Sequence, residues 1–345
     1  MYRNALTLTA VAALLAAPAG AHAYTHAPFF EHPVELGQVY GLERMGVRMG
    51  ALLAFDEPPD DLVEEAEKML ARDLPLFMGS LGTTDPETAS ALAAAVDELL
   101  MTASVGGELE APAAAVAQLA ATARAALVPD DLVQSAPFRA ALLTKLVLAD
   151  DGVAEAYEDA AEGDEWEYPA GWSALQRVKV LWEDLRPLAD ETAAFEIDDM
   201  LAELDALLPQ AAPPERFVGD PEEPEAYAHR LIGFVEQVAD ADLYPSRDLG
   251  RAAGLVIDLA TAGCDAYGAG EAGLGRERAS LAQFHYAEVL RRPLGMLAAD
   301  EHGIATDAFA VLRGKPDEAA AAAACDDLLP ALEKGTAVFP PSPAR

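Results

Sequence analysis

Histidine is the residue type in this chain with the widest chemical reach, and six occur: His22, His26, His32, His229, His285 and His302. Two precede a glutamate by three residues, as His32-x-x-Glu35 and His285-x-x-Glu288. On a helix, positions i and i+3 share a face, so an imidazole and a carboxylate at this spacing can hold a divalent metal between them. The bland readings are a partly buried helix histidine beside Tyr286, and chance in a chain rich in glutamate. His26 offers different chemistry. Cleavage after Ala23 would make Tyr24-Thr25-His26 the N-terminus, where an amine, two backbone amides and an imidazole form a square-planar nitrogen site of the kind Cu(II) and Ni(II) favour. Cleavage after Ala21 would instead expose His22 beside His26. His229, with Glu225 one turn before it, reads as a surface pair. The candidate metal ligands are therefore His26, His32, Glu35, His285 and Glu288, with iron or copper as the candidate ion.

Other patterns carry less. The chain has no Gly-rich phosphate loop, no Gly-x-Ser-x-Gly turn and no Cys-x-x-Cys. The acidic stretches Asp150-Asp151-Gly152 and 162–167 lack calcium-loop spacing. Cys264 and Cys325 have no histidine close in sequence, so no nucleophile is assigned. They either pair in an oxidising compartment or sit as small buried apolar residues. Trp166, Trp172 and Trp182, with Tyr157 and Tyr168, gather in the middle of the chain and read as core and cap. No catalytic residue and no cofactor is assigned, and a non-enzymatic protein is expected.

The elements that must position these residues are helices. Over half of the residues are apolar, alanine and leucine dominate, and aromatics are few. Apolar residues recur at helical spacing, and no alternating run is flanked by a hairpin turn. The first helix is expected over 34–55. Asp60-Asp61 caps a second up to Leu81, Asp85-Pro86-Glu87 opens a third to Ser104, and Pro112 opens a fourth to Leu127. Phe138 begins a long apolar helix, another starts near Ser173 and ends at Leu185, and an acidic one follows from Asp190 to Leu208.

This order recurs. Leu36-Gly37-x-x-x-Gly41-Leu42 matches Leu249-Gly250-x-x-x-Gly254-Leu255, Ser173-x-x-Gln176 matches Ser280-x-x-Gln283, and Arg186-Pro187-Leu188 matches Arg292-Pro293-Leu294. Asp190-Glu191 matches Asp300-Glu301, and the helix opened by Pro112 matches those opened by Pro224 and Pro316. The fold class expected is all-α: three tandem four-helix units at 24–129, 130–246 and 247–335, able to stack end to end, then a disordered tail at 336–345.

The first 23 residues read as an export signal: Arg3, an apolar stretch from Ala5 to Ala17, Pro18, then Ala19-Gly20-Ala21-His22-Ala23. Later apolar runs are all interrupted by charges, Gly or Pro, so no membrane span is expected in the mature chain. A soluble periplasmic protein follows. Its formal charge of -36 excludes a nucleic-acid backbone as partner and disfavours anionic membranes. The acidity reads as a solvated surface, or as a field that recruits cations.

Asp150-Asp151-Gly152-Val153-Ala154-Glu155-Ala156-Tyr157-Glu158-Asp159-Ala160, with Tyr168 and the stretch from Trp172 to Leu188, resembles periplasmic helical domains of bacterial iron uptake. These include imelysin-like proteins and the periplasmic domain associated with iron permeases. The resemblance covers about seventy residues. It implies an exported helical bundle, a His-x-x-Glu metal motif and a membrane permease as partner. The chain lacks permease helices and an Arg-Glu-x-x-Glu motif. Two functions are carried forward: binding of iron or another transition metal in support of uptake, and a metal-free structural or protein-interaction module.

Overall fold

Aspartates open several of the helices by one device. The carboxylates of Asp85, Asp190, Asp248 and Asp317 accept the backbone amides of Thr88, Ala193, Arg251 and Ala320. Each satisfies an N–H that the first helical turn leaves unpaired. The structure is a computed structural model and describes residues 28–149, 152–164, 166–217 and 220–340. The expected export signal at 1–23, with His22, and the candidate ligand His26 lie outside the described residues.

The described chain is all-helical, with no strand. It opens with α1 (Pro28–Glu31), α2 (Pro33–Leu53), α3 (Asp60–Asp73), α4 (Met78–Thr84), α5 (Pro86–Ser104) and α6 (Glu110–Leu127). The middle holds α7 (Asp130–Val133), α8 (Ala136–Leu148), α9 (Val153–Glu162), α10 (Glu167–Leu185), α11 (Glu191–Leu207) and α12 (Glu223–Ala239). The last third holds α13 (Leu249–Gly268), α14 (Ala272–His285), α15 (Arg291–Leu297), α16 (Ala299–Arg313) and α17 (Glu318–Thr336).

Several boundaries differ from the sequence reading, each for a local reason. The helix expected from Asp60 to Leu81 breaks after Asp73, passes through a 3-10 turn at Leu74–Leu76 and resumes at Met78. Pro75 in that turn has no N–H to donate. Asp60 and Asp61 lie inside the first turn and favour the helix dipole, while Pro59 takes the cap position. The helix expected at Ser173 starts earlier, at Glu167, because Pro169 is tolerated in a first turn. Asp300 lies within α16 and caps nothing, unlike Asp190. The last helix runs to Thr336 and Phe339 folds back onto the core, so structure continues past 335. Each expected unit accordingly holds more than four segments among the described residues. In the first and third the second helix is broken, and in the middle α7 and α9 are extra elements.

The core is one continuous cluster that crosses the expected unit boundaries. α2 packs against α3, α6, α8 and α10, and α14 packs against α4. α2 buries Leu36, Val39, Tyr40, Met45 and Leu52. It also sends buried polar groups to three neighbours. Gln38 Nε2 donates to Glu277 Oε1 on α14 at 3.0 Å. Arg44 Nε lies 2.8 Å from Asp73 Oδ1 on α3. Arg48 Nη1 lies 3.4 Å from Glu167 Oε2 on α10, and Glu43 accepts two bonds from Arg177 of the same helix, at 2.6 and 2.7 Å. A buried charge left unpaired costs several kcal/mol in order of magnitude, so these pairs fix one register for α2.

Candidate functional site

The last turn of α14 ends in a change of hydrogen-bond period. His285 closes the α-helix, Tyr286–Leu290 forms a π-helical turn, and α15 resumes at Arg291. Such turns open a helix locally and recur at functional sites. Here the turn carries Glu288, and the His285–Glu288 pair foreseen from spacing does form. His285 Nδ1 lies 3.9 Å from Glu288 Oε2.

A third group completes the cluster. Lys145 of α8 donates to both carboxylate oxygens of Glu288, at 3.2 and 2.9 Å. Its side chain is 0% exposed, while that of Glu288 keeps 23%. Three aromatic rings surround the ammonium: Phe284 at 4.2 Å, Phe29 at 4.6 Å and Tyr40 at 5.8 Å, measured to the ring centroids. Negative ring faces offset part of the hydration that the cation loses. Burial still pushes the Lys145 pKa down, and Glu288 opposes the shift. Burial also drives the His285 pKa well below its usual value; the Lys145 charge adds to this, and the Pro33 backbone opposes it. His285 is therefore neutral near pH 7. The Pro33 backbone lies near the ring, yet Nε2 makes no hydrogen bond of good geometry.

A neutral imidazole with an unpartnered nitrogen has the protonation state that a metal ligand needs. The carboxylate beside it does not stand ready, because an ammonium already holds both of its oxygens. A divalent ion placed there would face Lys145 across a water-poor space. Among the described residues no three His, Cys, Asp or Glu side chains converge as a metal-holding group.

The other foreseen ligands among the described residues, His32 and Glu35, join no group able to hold a metal with this cluster. His32 takes the N-cap position of α2 without a side-chain cap bond, and it and Glu35 are half-buried. His32 lines a shallow surface pocket with Glu31, Ser135 and Phe138. His229 forms the exposed pair with Glu225, Nε2 to Oε1 at 3.2 Å. Glu236 of α12 accepts from Arg247, at 2.7 and 2.9 Å, and from the Leu243 amide. His302 bonds the Tyr286 hydroxyl at 2.7 Å. Cys264 and Cys325 are joined in a disulfide between α13 and α17. The aromatic group is structural: Tyr157, Tyr168 and Phe217 meet edge to face, and Trp182 donates to Asp198.

Sequence reasoning missed Lys145. Its signal was the run Leu142-Leu143-Thr144-Lys145-Leu146-Val147-Leu148, in which one cation interrupts an apolar stretch. A lysine so placed has either to emerge from the fold or to meet a carboxylate inside it. Sequence reasoning also missed a half-open pocket on the other side of Phe284, lined by side chains of α2, α3, α14, α15 and α16. Compared with protein families, curated proteins and solved structures, the chain matches none.

Proposed function

We propose that this is an exported, non-enzymatic, all-helical binding protein. In it the Lys145–Glu288–His285 cluster is a pin between helices and holds no resident metal. The observation that carries this reading is the Lys145 ammonium, which engages both oxygens of the carboxylate a metal would need. The pin joins α8 to the turn after α14, and the Tyr40 ring of α2 lies beside it. The protein is thus a stiff body on which a partner protein or small ligand can dock. Export is supported by the Cys264–Cys325 bond, which persists in oxidising compartments, and by the N-terminal pattern.

A second reading, transition-metal binding in support of iron uptake, is favoured by one observation: the neutral, buried His285, whose Nδ1 lies 3.9 Å from Glu288 Oε2. It agrees with the resemblance to imelysin-like and permease-associated domains. It requires Lys145 to release Glu288, either as the neutral amine or by moving.

Thermal unfolding with and without Fe(II), Fe(III), Cu(II) and Zn(II) separates the two. A ligand at about 100 times its dissociation constant adds about 2.7 kcal/mol to the folded state. The pin predicts a midpoint that does not change with added metal. A rise that disappears in His285→Ala would establish the metal centre instead. Intact mass of the mature chain tests export, since an uncut N-terminus removes that part of the reading.

A further inference from the structure

The chain carries 23 Lys and Arg against 59 Asp and Glu, yet four arginines line one pocket. Arg44 of α2, Arg72 of α3, Arg291 of α15 and Arg313 at the end of α16 line the half-open pocket beside Phe284. One carboxylate, Asp73, lines it with them, and Arg44 already holds that group at 2.8 Å. The cations are graded in depth. Arg72 and Arg291 are exposed, Arg313 is half-buried and Arg44 is buried. Ser280 lines the same pocket with only 3% exposure, and its Oγ has no hydrogen-bond partner. A buried hydroxyl with nothing to donate to is unusual unless something occupies the space before it. Burial holds the Arg313 pKa below its ordinary value; the charges of Arg72, Arg276 and Arg44 push the same way, and Asp73 opposes them. Arg291 and Arg313, beside the Arg44–Asp73 pair, bring positive charge to a pocket inside a strongly acidic protein.

We infer that this pocket binds a phosphate group, free or carried on a small monoester. Guanidinium forks match the paired oxygens of a phosphate and complement its negative charge. From the lining, Ser280 supplies a hydroxyl donor and Gln283 an amide. The free space, about 120 Å³, exceeds what one water needs and falls below the roughly 300 Å³ of pockets for larger ligands. The inference rests on the binding-protein reading and names the chemistry of its ligand.

Calorimetric titration of the full-length mature protein at low ionic strength tests it, with inorganic phosphate, glycerol phosphate, sulfate and acetate as probes. One saturable site is expected for phosphate, at least about tenfold tighter than for acetate and weakened by added salt. Arg291→Gln and Arg313→Gln should each weaken phosphate at least about tenfold with helicity unchanged, and Ser280→Ala several-fold. Arg291 is exposed and makes the safer variant if Arg313→Gln folds poorly. Tighter binding of glycerol phosphate would assign a monoester, and equal or weaker binding free phosphate; both support the inference. No saturable heat up to about 10 mM phosphate would overturn it, as would acetate binding equally well. Phosphate binding that Arg291→Gln and Arg313→Gln leave unchanged would also overturn it, as an adventitious ion only. A failure here is distinguishable from failure of the pin, which is read from the metal dependence of unfolding.

Discussion

Lys145 is the side chain on which the functional reading turns. Removing one member of a buried ion pair strands the other, at a cost of about 3–5 kcal/mol. Glu288→Gln leaves an ammonium with no exposed surface and no counter-charge, whereas Lys145→Met leaves a carboxylate that still reaches water. The glutamate variant should therefore lose more stability in urea, and the double variant Lys145→Met/Glu288→Gln should recover most of the loss; additive losses would contradict the pin. His285 gives a second expectation at this scale. Its folded pKa lies well below the 6.5 of the unfolded chain. As pH falls through about 6.5, the unfolded chain takes up a proton that the folded chain refuses, so stability falls with a slope of up to about 1.4 kcal/mol per pH unit. Urea midpoints between pH 7.5 and 5.5 should fall in the parent and be flatter in His285→Gln; equal slopes would contradict a buried neutral ring. The His285–Glu288 pair was legible because i and i+3 is a local relation. Its real partner was not, since Lys145 lies 143 residues away and no spacing reports such a contact.

At the level of helices, the sequence spoke clearly about beginnings and less clearly about continuity. Asp85 and Asp190 cap the helices they were expected to open, because the cap is a contact over three residues. The break at Leu74–Leu76 follows from Pro75, a local signal that the expected helix ran through, whereas no local signal marked the π-helical turn after His285. Close approach of elements is likewise invisible to periodicity. A Cβ on Gly79 of α4 would lie 2.3 Å from the Gly273 carbonyl oxygen of α14, and backbone cannot step aside as a side chain can. Gly79→Ala should destabilise by about 1–3 kcal/mol through overpacking. Gly233, inside α12, has nothing within 4 Å of the same atom, so Gly233→Ala should stabilise by about 0.5–1 kcal/mol. Denaturant unfolding of the two variants checks both signs, and a neutral Gly79→Ala would mean that α4 and α14 are less tightly apposed than described.

For the molecule as a whole, the all-helical class followed from composition and apolar spacing, while the association of its parts did not. Segments 34–129, 130–246 and 247–335 read as bodies able to stack end to end. Instead, α2 shares its buried face with helices of the middle segment, and its Gln38 reaches α14 of the last. Calorimetry should show one cooperative transition, and the isolated 34–129 segment should fail to fold because its partners are elsewhere in the chain. Separate transitions for separate segments would contradict the interlocked core. Reducing Cys264–Cys325 should lower the single midpoint, since a cross-link over 61 residues restricts the unfolded chain by about 4 kcal/mol on loop entropy. The central claim, that the junction of α8 and α14 is pinned by an ion pair and carries no metal, is tested most directly by metal stoichiometry. The mature protein and His285→Ala are loaded with iron, copper and zinc, washed, and assayed by elemental mass spectrometry. The pin predicts the same metal content in both proteins, to within about a tenth of an equivalent; close to one equivalent present in the parent and absent from His285→Ala would contradict it.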